Sequence, residues 1–97
     1  MALPIKWSKE AKTTFEGVLS DLKENWSDKE VKTFITKTDS VLLVVSHQPY
    51  LFKASNHKKI RKALVGKQNS LFYLVRKSDV YLITFWDNRM DPKKNKY

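Results

Sequence analysis

The sequence predicts an α+β domain in which a helical hairpin packs on one face of a mainly antiparallel four-stranded sheet, in the order β-α-α-β-β-β. A short strand pattern and two helical patterns come first, and three strand patterns follow. The turns between these last three strands are so short that the strands should be antiparallel neighbours. The chain has 97 residues and no Cys. We therefore expect residues 1–97 to form one domain that is stabilised by packing, without disulfides.

A short strand and two helices are predicted in the first half of the chain. Ile5 and Trp7 flank a lysine in strand-like alternation, and Ser8 is suited to cap a helix. Apolar residues then recur at spacings of three and four, as on one helix face: Ala11, Phe15, Val18, Leu19, Leu22 and Trp26. The segment 27–30, Ser-Asp-Lys-Glu, has the form of a capping box and predicts a second helix that ends before Pro49.

The second half of the chain predicts a loop and three strands. Residues 46–57 show neither the helical nor the strand period and should form the longest loop. Strands are predicted at 58–65, 70–77 and 80–86, with turns between them. The last two strands are nearly all apolar, which predicts central positions in the sheet.

The excess positive charge lies in the second part of the chain. Residues 1–39 carry seven Lys and seven acidic residues, whereas residues 40–97 carry twelve Lys or Arg and three Asp, which accounts for the net charge of +9. A one-sided cationic surface attracts phosphate polyanions or acidic protein segments.

Several classes of protein are disfavoured by composition. The apolar stretches are too short to span a membrane and the N-terminus lacks the apolar region of a signal peptide, so we expect a cytoplasmic protein without a membrane partner. Two His and no Cys do not favour a metal site, and we expect no cofactor.

Segments along nearly the whole chain carry a resemblance to a known family. They are a short strand ending in Trp-Ser, a helical hairpin, a Pro-containing loop, Lys-Lys-Ile-Arg-Lys-Ala-Leu at 58–64, Leu-Phe-Tyr-Leu-Val at 71–75, and Ile-Thr-Phe-Trp-Asp-Asn-Arg-Met-Asp-Pro-Lys-Lys at 83–94. Together they resemble the RelE/ParE superfamily of type II toxin–antitoxin toxins, which includes plasmid stabilisation proteins. The resemblance implies a bacterial growth inhibitor that a cognate antitoxin neutralises. It leaves two targets open: ribosome-bound mRNA, cut by a RelE-like mRNA interferase, or DNA gyrase, inhibited by a ParE-like protein that is not an enzyme.

The resemblance also implies site residues. The family's nucleases place basic residues on the second and third strands, with an Arg and often a Tyr after the fourth. If the protein is a nuclease, the matching catalytic residues are Arg61, Lys62, Arg89 and Tyr97. The third strand begins with Asn69 and a serine, where such an RNase usually has Arg, and gyrase-directed members also carry an Arg near the end of the fourth strand. Both mechanisms therefore stay open.

Further basic residues surround these positions, and each has a simpler alternative. Nucleic-acid or target contacts are predicted for His57, Lys58, Lys59, Lys93 and Lys94. The alternatives are that edge-strand lysines only prevent aggregation, and that Arg89 only pairs with neighbouring aspartates. Two other functions also stay open: a non-catalytic nucleic-acid-binding module, and a degenerate toxin that acts only as a partner-binding scaffold.

The charge asymmetry generates a prediction about salt. If residues 58–62, Arg89 and the basic tail bind nucleic acid, affinity should fall by about 0.7–0.9 log units per tenfold rise in salt for each phosphate contacted. Fluorescence anisotropy with a labelled oligonucleotide, repeated over a series of KCl concentrations, measures this slope. Binding that does not change with salt would mean that these side chains are only a solvated surface.

Overall fold

The computed structural model describes residues 2–55, 59–66, 68–90 and Tyr97. The elements are β1 (Ile5–Trp7), α1 (Lys9–Asn25), α2 (Asp28–His47), β2 (Arg61–Leu64), β3 (Asn69–Val75) and β4 (Val80–Asp87). The strands form one sheet in the order β1-β4-β3-β2, with both helices contributing to the core on one of its faces. The predicted fold class, element order and central strands are confirmed. In the described part of the chain, no helix combines the length and the apolar composition that crossing a bilayer requires.

Both helices begin at the predicted serine caps. The Ser8 hydroxyl accepts the N–H of Ala11 at 2.9 Å and donates to the carbonyl of Ile83 at 2.7 Å. The Ser27 hydroxyl accepts the N–H of Glu30 at 3.4 Å. Capping satisfies amides that have no partner within the helix. Ser8 does more than cap, because its second hydrogen bond ties the start of α1 to β4.

The sheet combines one parallel and two antiparallel pairings. β1 is parallel to the first part of β4, from Ile5 opposite Val80 to Trp7 opposite Leu82, and the other neighbours are antiparallel. Beyond the end of β1, hydroxyls of the first helical turns cover the edge of β4. The backbone N–H of Phe85 donates to the Thr14 hydroxyl at 3.0 Å, next to the Ser8 contact described above.

β2 is shorter than the strand predicted at 58–65. Lys59 has a φ of 56°, a left-handed conformation that ends extended structure. Ala54 and Ser55 lie beside this strand, since the N–H of Ser55 donates to the carbonyl of Ile60 at 2.7 Å and Ala54 forms a bridge with Arg61. These two residues of the predicted 46–57 loop therefore lie along the edge of β2.

The core between helices and sheet is rich in aromatic rings. Phe15 lies 5.3 Å from Trp7, 5.5 Å from Phe34 and 5.2 Å from Phe85 between ring centroids. Such offset and edge-on contacts stabilise beyond their buried area. Trp26 was predicted on the same apolar helix face but is 56% exposed. It is the C-cap residue of α1, at the end of the helix.

Side-chain hydrogen bonds from Tyr73 and Arg61 anchor the loop after α2 to the sheet. The Tyr73 hydroxyl donates to the carbonyl of Pro49 at 2.8 Å, and the Arg61 guanidinium donates to the carbonyl of Phe52 at 2.6 Å. Tyr73 is fully buried. Burial raises the pKa of Tyr73 from 10.0 to about 12, while the nearby Arg61 charge acts in the opposite direction.

This anchor predicts an alkaline loss of stability that depends on Tyr73. Because its folded-state pKa lies above the unfolded value, the stabilisation is complete below pH 10.0 and is lost as the pH rises through about 12. Tyr73→Phe should cost about 1 kcal/mol at neutral pH through the lost hydrogen bond. Its stability should also fall less steeply than wild type between these pH values. Urea unfolding across this range measures both effects, and parallel curves for the two proteins would contradict the assignment.

Candidate functional site

The sheet face opposite the helices, here called the open face, carries apolar and cationic side chains. Directly opposed residues share a face, and Ala63, Leu71, Tyr73 and Leu82 point to the core. The alternate cross-strand pairs therefore lie on the open face: Lys62 with Phe72, Leu64 with Ser70, Leu74 with Tyr81, and Ser70 with Trp86. Leu64 is 62% exposed there.

Lys62, Phe72 and Tyr97 form a cluster on the open face, here called the Phe72 cluster. The Lys62 ammonium lies 6.0 Å from the centroid of the Phe72 ring, and the Tyr97 ring centroid lies 5.8 Å from that of Phe72. Phe72 is only 5% exposed as a result of its neighbours. Aromatic rings beside a cation are the combination that binds the bases and phosphates of single-stranded nucleic acid.

Two shallow grooves meet at Tyr97. The first, of about 480 Å³, is lined by Lys53, Ala54, Ser55, Ile60, Lys62, Phe72 and Tyr97. The second, of about 210 Å³, runs past the end of β4 and is lined by Glu10, Thr14, Thr84, Phe85, Trp86, Asp87, Met90 and Tyr97. The phenol of Tyr97 donates a hydrogen bond to Glu10 Oε2 at 3.0 Å. Burial raises the pKa of Tyr97, and the hydrogen bond to Glu10 raises it further.

Arg61 lies on the helix side of the sheet, opposite Tyr73. Its guanidinium donates to the carbonyls of Phe52 and Tyr50 at 2.6 and 3.4 Å and lies 4.9 Å from the centroid of the Tyr50 ring. Because side chains alternate along β2, the two predicted catalytic residues of this strand lie on opposite faces of the sheet. Lys62 belongs to the Phe72 cluster, whereas Arg61 binds the loop after α2.

Arg89 forms a two-pronged ion pair with Asp87. Its Nε and Nη2 donate to the carboxylate oxygens at 3.0 and 2.6 Å, and its backbone N–H donates to the same carboxylate at 2.9 Å. The side-chain hydrogen bond from Arg89 lowers the pKa of Asp87, and the same bond, with a weaker contribution from Asp21 on α1, raises the pKa of Arg89. The pair is open to water, with 54% of the Arg89 side chain and 27% of the Asp87 side chain exposed.

The remaining predicted residues are distributed as follows. Lys59 is exposed and precedes β2. His57, Lys58, Lys93 and Lys94 lie outside the described residues. Within residues 2–55, 59–66, 68–90 and 97, no group of His, Cys, Asp or Glu side chains could hold a metal ion.

Two parts of the site were not among the predicted residues. Phe72 was predicted only as part of an apolar strand, and nothing in that pattern distinguishes its face from that of Tyr73 without the register. Glu10 was not singled out at all, because its contact with Tyr97 joins positions 87 apart in the sequence. Local patterns hold no signal for such a pair.

Comparison with solved structures finds this fold in toxins. A chain of the chromosomal ParDE toxin–antitoxin system from P. aeruginosa has a TM-score of 0.74 and 9% identity, covering 89% of this chain and 96% of that one. A copper-bound mutant toxin from Helicobacter pylori has a TM-score of 0.64 and 19% identity, covering 90% and 96%. The YoeB dimer from Staphylococcus aureus has a TM-score of 0.62 and 15% identity, covering 87% and 94%.

By sequence, the chain matches no protein-family model, and no curated protein is significantly similar to it. The structural likeness nevertheless extends over most of the chain. The fold is therefore that of RelE/ParE-like toxins, as the resemblance in sequence implied.

The ion pair at the end of β4 predicts how Arg89 should respond to mutation. Arg89→Ala should leave the free energy of unfolding nearly unchanged, because the pair is solvent-exposed. If the guanidinium binds an acidic target group, the same variant should weaken growth inhibition strongly, and Arg89→Lys should restore only part of it because Lys cannot bind bidentately.

Asp87→Asn is the matched variant, since it releases the guanidinium without removing it. We expect it to keep or increase growth inhibition. Thermal unfolding and growth after induction measure the two effects separately. Full inhibition by a stably folded Arg89→Ala variant would contradict a role in the site.

Proposed function

We propose that this protein is the toxin of a bacterial type II toxin–antitoxin system, and that its open face binds the target. The toxin fold carries the first part of the proposal, because it extends over nearly the whole chain. The Phe72 cluster supports the second part, since it joins the exposed Lys62 to the half-buried ring of Tyr97 on the side of the sheet that the helices leave uncovered.

An RNA target is the first candidate. RelE-like cleavage requires activation of the ribose 2′-hydroxyl, cations around the phosphate and protonation of the leaving oxygen. Lys62 and Lys53 line the same groove as Phe72 and Tyr97. In this proposal the lysines contact phosphate while the half-buried ring of Tyr97 stacks on a base.

DNA gyrase is the second candidate, and one observation favours it. Arg61 and Arg89 are both engaged away from the Phe72 cluster, with the loop carbonyls and with Asp87 respectively. Two of the four residues that the nuclease mechanism would use are thus directed elsewhere. A ParE-like toxin needs no such assembly, because it inhibits by binding rather than by catalysis.

Lys62→Ala tests the proposed surface. Loss of a charge-assisted contact of about 1.5–3 kcal/mol should reduce growth inhibition about tenfold or more. Lys32→Ala is the matched control, because Lys32 is exposed on α2 and lies on the helix side of the molecule. Induced cultures should be scored for growth, transcript ends and plasmid supercoiling. New transcript ends that require ribosomes would indicate RNA cleavage, whereas altered supercoiling with intact transcripts would indicate gyrase.

Coexpression with a small protein encoded beside this one should suppress the growth defect, as expected of a cognate antitoxin. Induction that harms no cells in the absence of such a partner would contradict the toxin proposal. Equal inhibition by wild type and Lys62→Ala would instead contradict only the assignment of the open face.

A further inference from the structure

Tyr97 contacts both Phe72 on the open face and Glu10 on α1. Its ring lies 5.8 Å from that of Phe72 between centroids, and its hydroxyl donates to Glu10 Oε2 at 3.0 Å. The two ring planes are tilted by 34°, and such a ring contact only weakly restrains sliding and rotation of the Tyr97 ring. A hydrogen bond to a carboxylate is directional, and so it determines where the hydroxyl lies.

Glu10 is itself held in a defined place. It lies in the first turn of α1, two residues after the Ser8 cap, and the Ser8 hydroxyl donates a hydrogen bond to the carbonyl of Ile83 on β4. One helical turn later, the Thr14 hydroxyl accepts a hydrogen bond from the backbone N–H of Phe85. The carboxylate therefore projects from a helix end that is attached to the central strand at two points, next to the groove that Tyr97 lines.

We propose that Glu10 is a positioning residue that holds the phenol of Tyr97 over Phe72, beside Lys62, where the open face receives its target. The inference rests on the proposed function and adds a residue from α1 to a surface otherwise built from the sheet. Glu10 acts through Tyr97 rather than by contact with the target. Its hydrogen bond also contributes to the raised pKa of Tyr97, after burial.

Three variants separate the hydrogen bond from the charge. Glu10→Ala removes both, whereas Glu10→Gln removes the charge and keeps an oxygen that accepts from the phenol. Both lose the same favourable interaction of a carboxylate with the N-terminus of α1, so the difference between them isolates the hydrogen bond. Glu16→Ala is the matched control, because Glu16 is exposed on the same helix and its loss changes the net charge equally.

The first measurement does not depend on activity. Ring-to-ring nuclear Overhauser effects between Phe72 and Tyr97, measured in the purified 97-residue protein, report whether Tyr97 stays in place. We expect these signals to be lost or several-fold weaker in Glu10→Ala, and to be kept in Glu10→Gln and Glu16→Ala. Unchanged signals in Glu10→Ala would overturn the proposal.

The second measurement is growth inhibition after induction. Glu10→Ala should reduce it about tenfold, matching loss of one charge-assisted hydrogen bond, and Glu10→Gln should restore most of it. Tyr97→Phe should have the same effect as Glu10→Ala, and the double variant should be no weaker than either single one. Undiminished inhibition by a Glu10→Ala protein that has lost the ring signals would overturn the positioning role. If the wild-type protein inhibits nothing, the proposed function fails, and the ring signals still decide whether Glu10 holds Tyr97.

Discussion

The two hydrogen bonds of the Ser8 hydroxyl connect the first helix to the central strand of the sheet. One caps α1 at Ala11 and the other binds the Ile83 carbonyl, where β1 has ended and the edge of β4 would otherwise lack a partner. This connection determines how α1 lies on the sheet, and hence where Phe15 enters the aromatic core. It also determines where Glu10 points, so the core and the candidate site depend on the same polar contact.

Strand alternation distributes the basic residues between two different tasks. Because successive side chains of a strand point to opposite faces, Lys62 joins the Phe72 cluster while its neighbour Arg61 stabilises the loop after α2. Arg89 follows β4 and is balanced by Asp87 in a solvent-exposed pair. A basic residue in the sequence therefore does not always place its charge at the candidate site. Among the described residues, Lys53 and Lys62 line the groove beside Phe72.

Structural likeness at 9–19% identity is consistent with how this fold is specified. Helix caps, apolar periodicity and short turns can be satisfied by many residue types, so they persist when individual side chains change. Site chemistry has no such tolerance, because it requires particular groups at particular distances. Asn69, for example, begins β3 at the place where the resemblance in sequence implied a cation for a nuclease.

The sequence itself determined the element order, both serine caps and the central placement of β3 and β4. Each of these features depends on residues that are close together in the sequence. Tertiary structure decided the rest. The start of β2 depends on the backbone of Lys59 and on Ala54, which forms a bridge with Arg61. The separation of Arg61 from Lys62 required the strand register, and the contact of Glu10 with Tyr97 joins the two ends of the chain. Contacts between distant positions leave no local period, and only the folded chain brings them together.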